Sequence, residues 1–158
     1  MSIVVGIDIG GSTTKIAAFK GDEMLVPVQI SADNPVASLF GAFGKFLYDN
    51  KLELNDIAQV NLTGVGANEI QQNIYGLPTF KVDEFSANGV GGKYFAEGRD
   101  EFMVVSMGTG TSYVKVSNGV PSHIGGIGIG GGTIMGLSKL MLNTNKPDKI
   151  EELAAAGK

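Results

Sequence analysis

Asp8 closes an apolar run and is followed by two glycines, in the string Gly6-Ile7-Asp8-Ile9-Gly10-Gly11-Ser12-Thr13-Thr14-Lys15. Glycine admits positive φ and lacks the Cβ that would hold an anion away, so backbone N–H groups in such a turn can point at a phosphate. Gly10, Gly11, Ser12 and Thr13 are the expected cradle. Asp8 is placed to hold hydrated Mg²⁺, an ion that takes one or two carboxylates and completes its shell with water and phosphate oxygens. Lys15 adds a cation for the terminal phosphates. A bare Asp-x-Gly-Gly would serve equally as a plain hairpin turn with a solvated aspartate. A second glycine turn, Gly108-Thr109-Gly110-Thr111-Ser112, favours the phosphate reading, because two facing turns of this kind make a clamp. The pattern is not the Walker loop, since no Gly-Lys-Ser/Thr occurs. Nor is it the dinucleotide fingerprint, since the first turn leads into a strand instead of a helix.

Two further clusters could do chemistry. In Val82-Asp83-Glu84-Phe85-Ser86 a strand hands over to a helix at two carboxylates. A carboxylate there could orient a hydroxyl and accept its proton during phosphoryl transfer. Position alone favours the plainer reading, with Asp83 as N-cap and Glu84 as a first-turn acid beside the helix dipole. The apolar glycine run Gly125–Thr133 precedes a helix, so its N–H groups could face a phosphate or allow close backbone packing. His123, the one histidine, stands just before it; a single histidine on a strand is more often structural or exposed than functional.

Positioning these residues requires an ordered set of elements. Strands are expected over Ser2–Ile9, Thr14–Lys20 and Glu23–Ile30, then a helix over Pro35–Tyr48 with Asn34 as N-cap and proline at its first position. A strand over Ile57–Thr63, a short helix over Ala67–Tyr75, a strand over Thr79–Val82 and a helix over Glu84–Glu97 follow. The order βββαβαβα is that of a ribonuclease H-like half, a mixed sheet with flanking helices. Strands at Phe102–Met107, Thr111–Ser117 and Val120–Ile124, with Asn118-Gly119 as hairpin turn, repeat its opening. Helices over Thr133–Leu142 and Asp148–Ala156 complete the chain. The expected domains are therefore residues 1–100 and a second, homologous and incomplete one over 101–158.

Composition narrows the function classes. The 158 residues are 43% apolar and 18% charged, with a net charge of −4 and no Lys/Arg cluster. Such a chain can bury a core, and it lacks the basic surface that nucleic acid or an anionic membrane would require. Without cysteine, thiol catalysis and thiolate metal sites are excluded. The 24 glycines gather beside strand-like runs, which suits backbone approaching a ligand better than a flexible linker. The short apolar start has no basic n-region, so a cytoplasmic location is the default expectation.

Taken in order, the strings GIDIGGSTTKI, VDEFSANGVGG, SMGTGTSYVKV and GGIGIGGGTIMGL resemble the motifs of type II pantothenate kinases. The resemblance implies the duplicated, actin-like ATPase fold and transfer of the ATP γ-phosphate to pantothenate, with ATP and Mg²⁺ as cofactors. It implies that this chain is the amino-terminal part of a longer protein, a homodimer when full length. It makes Glu84 the catalytic base, reversing the balance struck from position alone. Asp8, Gly10, Gly11, Ser12, Thr13 and Lys15 match the first ATP-phosphate motif and Gly108, Thr109, Gly110 and Thr111 the second. Ser112 matches a position that contacts the pantothenate moiety, and His123 stands where the family commonly has an arginine. Neutral imidazole does not reproduce a cationic fork, so a kinase for a sugar-like acceptor is a second reading. A non-catalytic nucleotide-binding module is a third.

Overall fold

The computed structural model describes residues 2–31 and 34–157; Met1 and Lys158, the outer limits of the expected domains, lie outside the described residues, as do Ala32 and Asp33. The chain divides into two compact units, Met1–Ala87 and Asn88–Lys158.

The first unit is built on a mixed sheet of β1 (Ile3–Ile9), β2 (Thr13–Lys20), β3 (Glu23–Met24), β4 (Val28–Ser31), β5 (Ile57–Thr63) and β6 (Thr79–Lys81). Its order is β3-β2-β1-β5-β6, with β4 also pairing β2. β1 runs antiparallel to β2 and parallel to β5, and β5 runs parallel to β6. Along β1 the side chains of Ile3, Val5, Ile7 and Ile9 are buried, while those between them turn to the other face. This period-2 alternation marks a sheet with one face on the core.

The core is closed by α1 (Pro35–Asn50), whose Leu39, Ala42, Phe43 and Phe46 are buried. Asn34 caps it as its sequence suggests, the side-chain oxygen accepting from the Ala37 N–H at 2.9 Å. Lys51, at φ 55°, ends it.

Two expectations need correction. The third strand is broken into β3 and β4, because Pro27 has no N–H for the ladder and Val26 pairs instead with the Asn50 side chain. That amide accepts from the Val26 N–H and donates to its carbonyl, both at 3.0 Å. The expected helix over Ala67–Tyr75 is two 3₁₀ turns, Val65–Glu69 and Ile74–Gly76. Tyr75 sits at φ 50° inside the second turn, where its ring meets Phe40 edge-on and stacks on Phe43.

Thr14 is fully buried on the core face, and its hydroxyl has no hydrogen-bond partner. An unsatisfied buried hydroxyl costs about 1–3 kcal/mol. Thr14→Val is therefore expected to stabilise the unit by about 1 kcal/mol, raising the melting midpoint by a few degrees. Calorimetric melting checks this, and a lowered midpoint would mean that the hydroxyl is paired.

The second unit carries a three-stranded antiparallel sheet, β7 (Glu101–Met107), β8 (Thr111–Ser117) and β9 (Val120–Ile127), in that order. The β8–β9 turn has Asn118 at φ 51° and Gly119 at φ 74°, the two positive angles that an Asn-Gly hairpin turn supplies. α2 (Glu84–Phe95) enters this unit and packs on its sheet. A Cβ at Gly89 would collide with Pro121, and one at Gly92 with Val104. By this packing most of α2 belongs to the second compact unit. Glu97 and Gly98, both left-handed, stop the helix. α3 (Gly131–Leu142) and α4 (Pro147–Ala156) follow. Among the described residues no helix is long and apolar enough to cross a membrane.

Candidate functional site

In the first unit, the ends of three neighbouring parallel strands gather the chemistry. Asp8 lies at the carboxyl end of β1, Thr63 at that of β5, and Glu84 follows β6 by three residues. In open α/β sheets the carboxyl ends of parallel strands are where ligands bind, because the loops that leave them diverge there.

Asp8 points away from the core, and its antiparallel register partner is Lys15. Directly opposed residues on one sheet face can interact, and the Lys15 ammonium donates to Asp8 Oδ2 at 2.9 Å. The side chains are 48% and 34% exposed, so the pair adds little stability and yields easily to a competing anion. Between the partners the chain turns tightly. The Gly10 N–H donates to the Thr13 carbonyl at 2.9 Å, and a Cβ on Gly10 would stand 2.9 Å from that oxygen. Gly10 therefore shapes the turn with its own N–H, and Gly11 and Ser12 form the exposed tip.

No group of three or more His, Cys, Asp or Glu able to hold a metal occurs among the described residues. One carboxylate beside an exposed glycine turn nevertheless fits Mg²⁺, which keeps most of its shell as water and phosphate oxygen and needs no protein cage.

Asp83 has the capping role that its position suggests: the Ser86 N–H donates to its Oδ2 at 2.8 Å. Glu84 is left as an exposed carboxylate in the first turn of α2. The two acids thus differ in their surroundings, one engaged in holding the helix start and the other facing solvent.

In the second unit, the turn between β7 and β8 is held from behind. The Gly108 N–H donates to the Gly110 carbonyl at 2.9 Å. Gly131 and Gly132 donate to the carbonyls of Gly108 and Thr109 at 2.8 and 3.2 Å, and the Thr111 hydroxyl donates to the Ile129 carbonyl at 2.8 Å. The Thr133 hydroxyl turns back to the Gly128 carbonyl at 3.2 Å. A Cβ on Gly130 would lie 2.7 Å from the Gly110 carbonyl carbon and oxygen. For Gly130, Gly131 and Gly132 close packing is the use seen: all three lie against the Gly108–Thr111 turn, and Gly131 and Gly132 also spend their N–H groups on it.

Ser112 is half-buried on β8, in register with Ser106 and Gly126. His123 is exposed on β9 opposite Val114, which puts it on the same sheet face as Ser112, two residues along.

The segment that sequence reasoning missed is Thr63-Gly64-Val65-Gly66. Gly64, at φ +87°, closes on Asp8: a Cβ there would collide with Asp8 Oδ1 and stand 2.6 Å from the Ile9 carbonyl oxygen. A Cβ on Gly66 would lie 2.5 Å from the Ile9 side chain. The available signal was a Gly-x-Gly directly after a strand.

Comparison with known proteins agrees with this architecture. The family model described as Fumble matches residues 93–158. A type II pantothenate kinase of Bacillus cereus is 31% identical over 169 aligned residues, which cover 99% of this chain and 56% of that protein. The chain thus spans little more than half the length of that relative. Among solved structures, the (R)-2-hydroxyglutaryl-CoA dehydratase component A of Acidaminococcus fermentans is 19% identical with a TM-score of 0.78, covering 100% of this chain and 60% of its own. The activator of the 2-hydroxyisocaproyl-CoA dehydratase from Clostridium difficile, solved with bound ADPNP, is 18% identical with a TM-score of 0.68, over 90% and 53%. At these identities the structural likeness establishes the fold, the actin-like α/β mixed sheet with flanking helices.

Proposed function

We propose, from the 31% identity to a type II pantothenate kinase along 99% of this chain, that the protein carrying it transfers the γ-phosphate of ATP to the primary hydroxyl of pantothenate, in coenzyme A biosynthesis. The observation that carries the reading is the Asp8–Lys15 pair flanking the Gly10–Thr13 turn at the carboxyl end of β1. A phosphate chain arriving there meets a cation held only by an exposed ion pair.

Lys15 exchanges Asp8 for the terminal phosphates, and the exposed tip at Gly11 and Ser12 receives them. Asp8, so released, is the residue that would hold Mg²⁺, and the ion would supply positive charge to offset that on the phosphate oxygens. The Gly108–Thr111 turn is a second phosphate-holding element, and the glycines behind it keep its backbone rigid. Glu84 orients the acceptor hydroxyl and takes its proton as that oxygen bonds to the γ-phosphorus and the bond to ADP breaks. Ser112 and His123 contact the acceptor. Support for nucleotide use comes from a solved neighbour that holds ADPNP.

A panel of acceptors with coupled ADP detection tests the assignment. ADP release is expected with pantothenate and not with hexoses. Turnover on a hexose with none on pantothenate would replace this reading with that of a sugar-like kinase.

A further inference from the structure

Of the three parallel strands whose ends form the first unit's site, β5 is the middle one. Thr63 is the register partner of Asp8 across the β1–β5 ladder. Leu62 before it is buried in the core, so Thr63 leaves the sheet on the face that Asp8 also uses. The Thr63 hydroxyl is occluded from solvent and has no hydrogen-bond partner. The Asp8 carboxylate beside it has Oδ2 engaged by Lys15 and Oδ1 facing Gly64. An occluded donor next to a carboxylate whose own cation is loosely held is a group awaiting a second arrangement of the site.

We propose that Thr63 is a positioning residue for Asp8. When Lys15 leaves Oδ2 for an arriving phosphate chain, the Thr63 hydroxyl donates to the Asp8 carboxylate and fixes its orientation towards the hydrated cation. Gly64 makes this possible: at φ +87° and without a Cβ, it lets the turn close over Oδ1 where any other residue would displace the carboxylate. The Thr63–Gly66 turn is thus a wall of the site and not a connector. The inference rests on the reading of the Gly10–Lys15 loop as a nucleotide site.

Calorimetric titration of the chain with ATP, once with Mg²⁺ and once with a chelator, tests it on Thr63→Val, Thr63→Ala and Thr63→Ser. Wild type is expected to bind Mg·ATP more tightly than free ATP. Thr63→Val and Thr63→Ala are expected to lose that metal-dependent gain by about tenfold, the usual effect of removing a group that orients a metal-binding carboxylate. Their affinity for metal-free ATP should be unchanged, and Thr63→Ser should retain the gain. A metal-dependent gain that survives in both Thr63→Val and Thr63→Ala overturns the proposal. So does an equal loss of metal-free affinity, or a Thr63→Ser that behaves as they do. Wild type that binds neither form of ATP overturns the nucleotide reading and this inference with it. Wild type that binds while the variants match it overturns this inference alone.

Discussion

Glu84→Gln is expected, under the proposed function, to lower pantothenate-dependent ADP release by the protein carrying this chain by roughly two to four orders of magnitude, the contribution typical of a positioned general base. Affinity for Mg·ATP should stay within about threefold of wild type, because this residue lies outside the turns proposed to hold phosphate. The substitution is well suited to the question because it removes charge without altering size, and because Glu84 is exposed while its neighbour Asp83 caps the helix. Loss of a first-turn negative charge costs the helix about 0.3–1 kcal/mol, too little to unfold it. Steady-state kinetics and calorimetry on the same preparation separate the two effects. Turnover close to wild type would remove Glu84 from the base role.

The second large effect is expected at Gly130. Its φ of −167° is extended backbone that alanine adopts freely, so the cost of Gly130→Ala is purely steric. The added methyl would stand 2.7 to 2.8 Å from the backbone of Gly110, forcing the Gly108–Thr111 turn to move. Overpacking of this kind costs about 1–3 kcal/mol. If the turn holds phosphate, nucleotide affinity should fall by about tenfold, equivalent to about 1.4 kcal/mol. Gly128→Ala is the matched control, since nothing lies within 4 Å of a Cβ at that position. Melting and nucleotide titration should show Gly130→Ala impaired and Gly128→Ala near wild type. Equal behaviour of the two would detach the glycine run from the turn's function.

What could be read from the sequence was local. Asn34 and Pro35 announced the start of α1, and Asn118-Gly119 announced the β8–β9 hairpin; each signal lies within a few residues of its effect. The pairing of Asp8 with Lys15 follows from the tight β1–β2 turn in the same way. The Thr63–Gly66 turn escaped because its neighbour Asp8 is brought to it by parallel pairing of β1 with β5, across a long connection that includes α1. No periodicity in the sequence encodes that register. The helix expected over Ala67–Tyr75 failed for a related reason, since Gly64 and Gly66 must approach Ile9 closely and Tyr75 takes a left-handed conformation beside Phe40 and Phe43. Local helical spacing yields there to tertiary packing. The run from Gly125 to Thr133 was ambiguous because glycine serves close packing and anion approach alike, and only the position of the opposing backbone separates the two uses.

The most direct test of the proposed function is to incubate the protein carrying this chain with Mg·ATP labelled on the γ-phosphate, in a mixture of pantothenate and hexose, and to follow the label by mass spectrometry. The label is expected on the primary hydroxyl of pantothenate, one phosphoryl group per ADP formed. Label on the hexose, or ADP formed with none of the label on pantothenate, would contradict it.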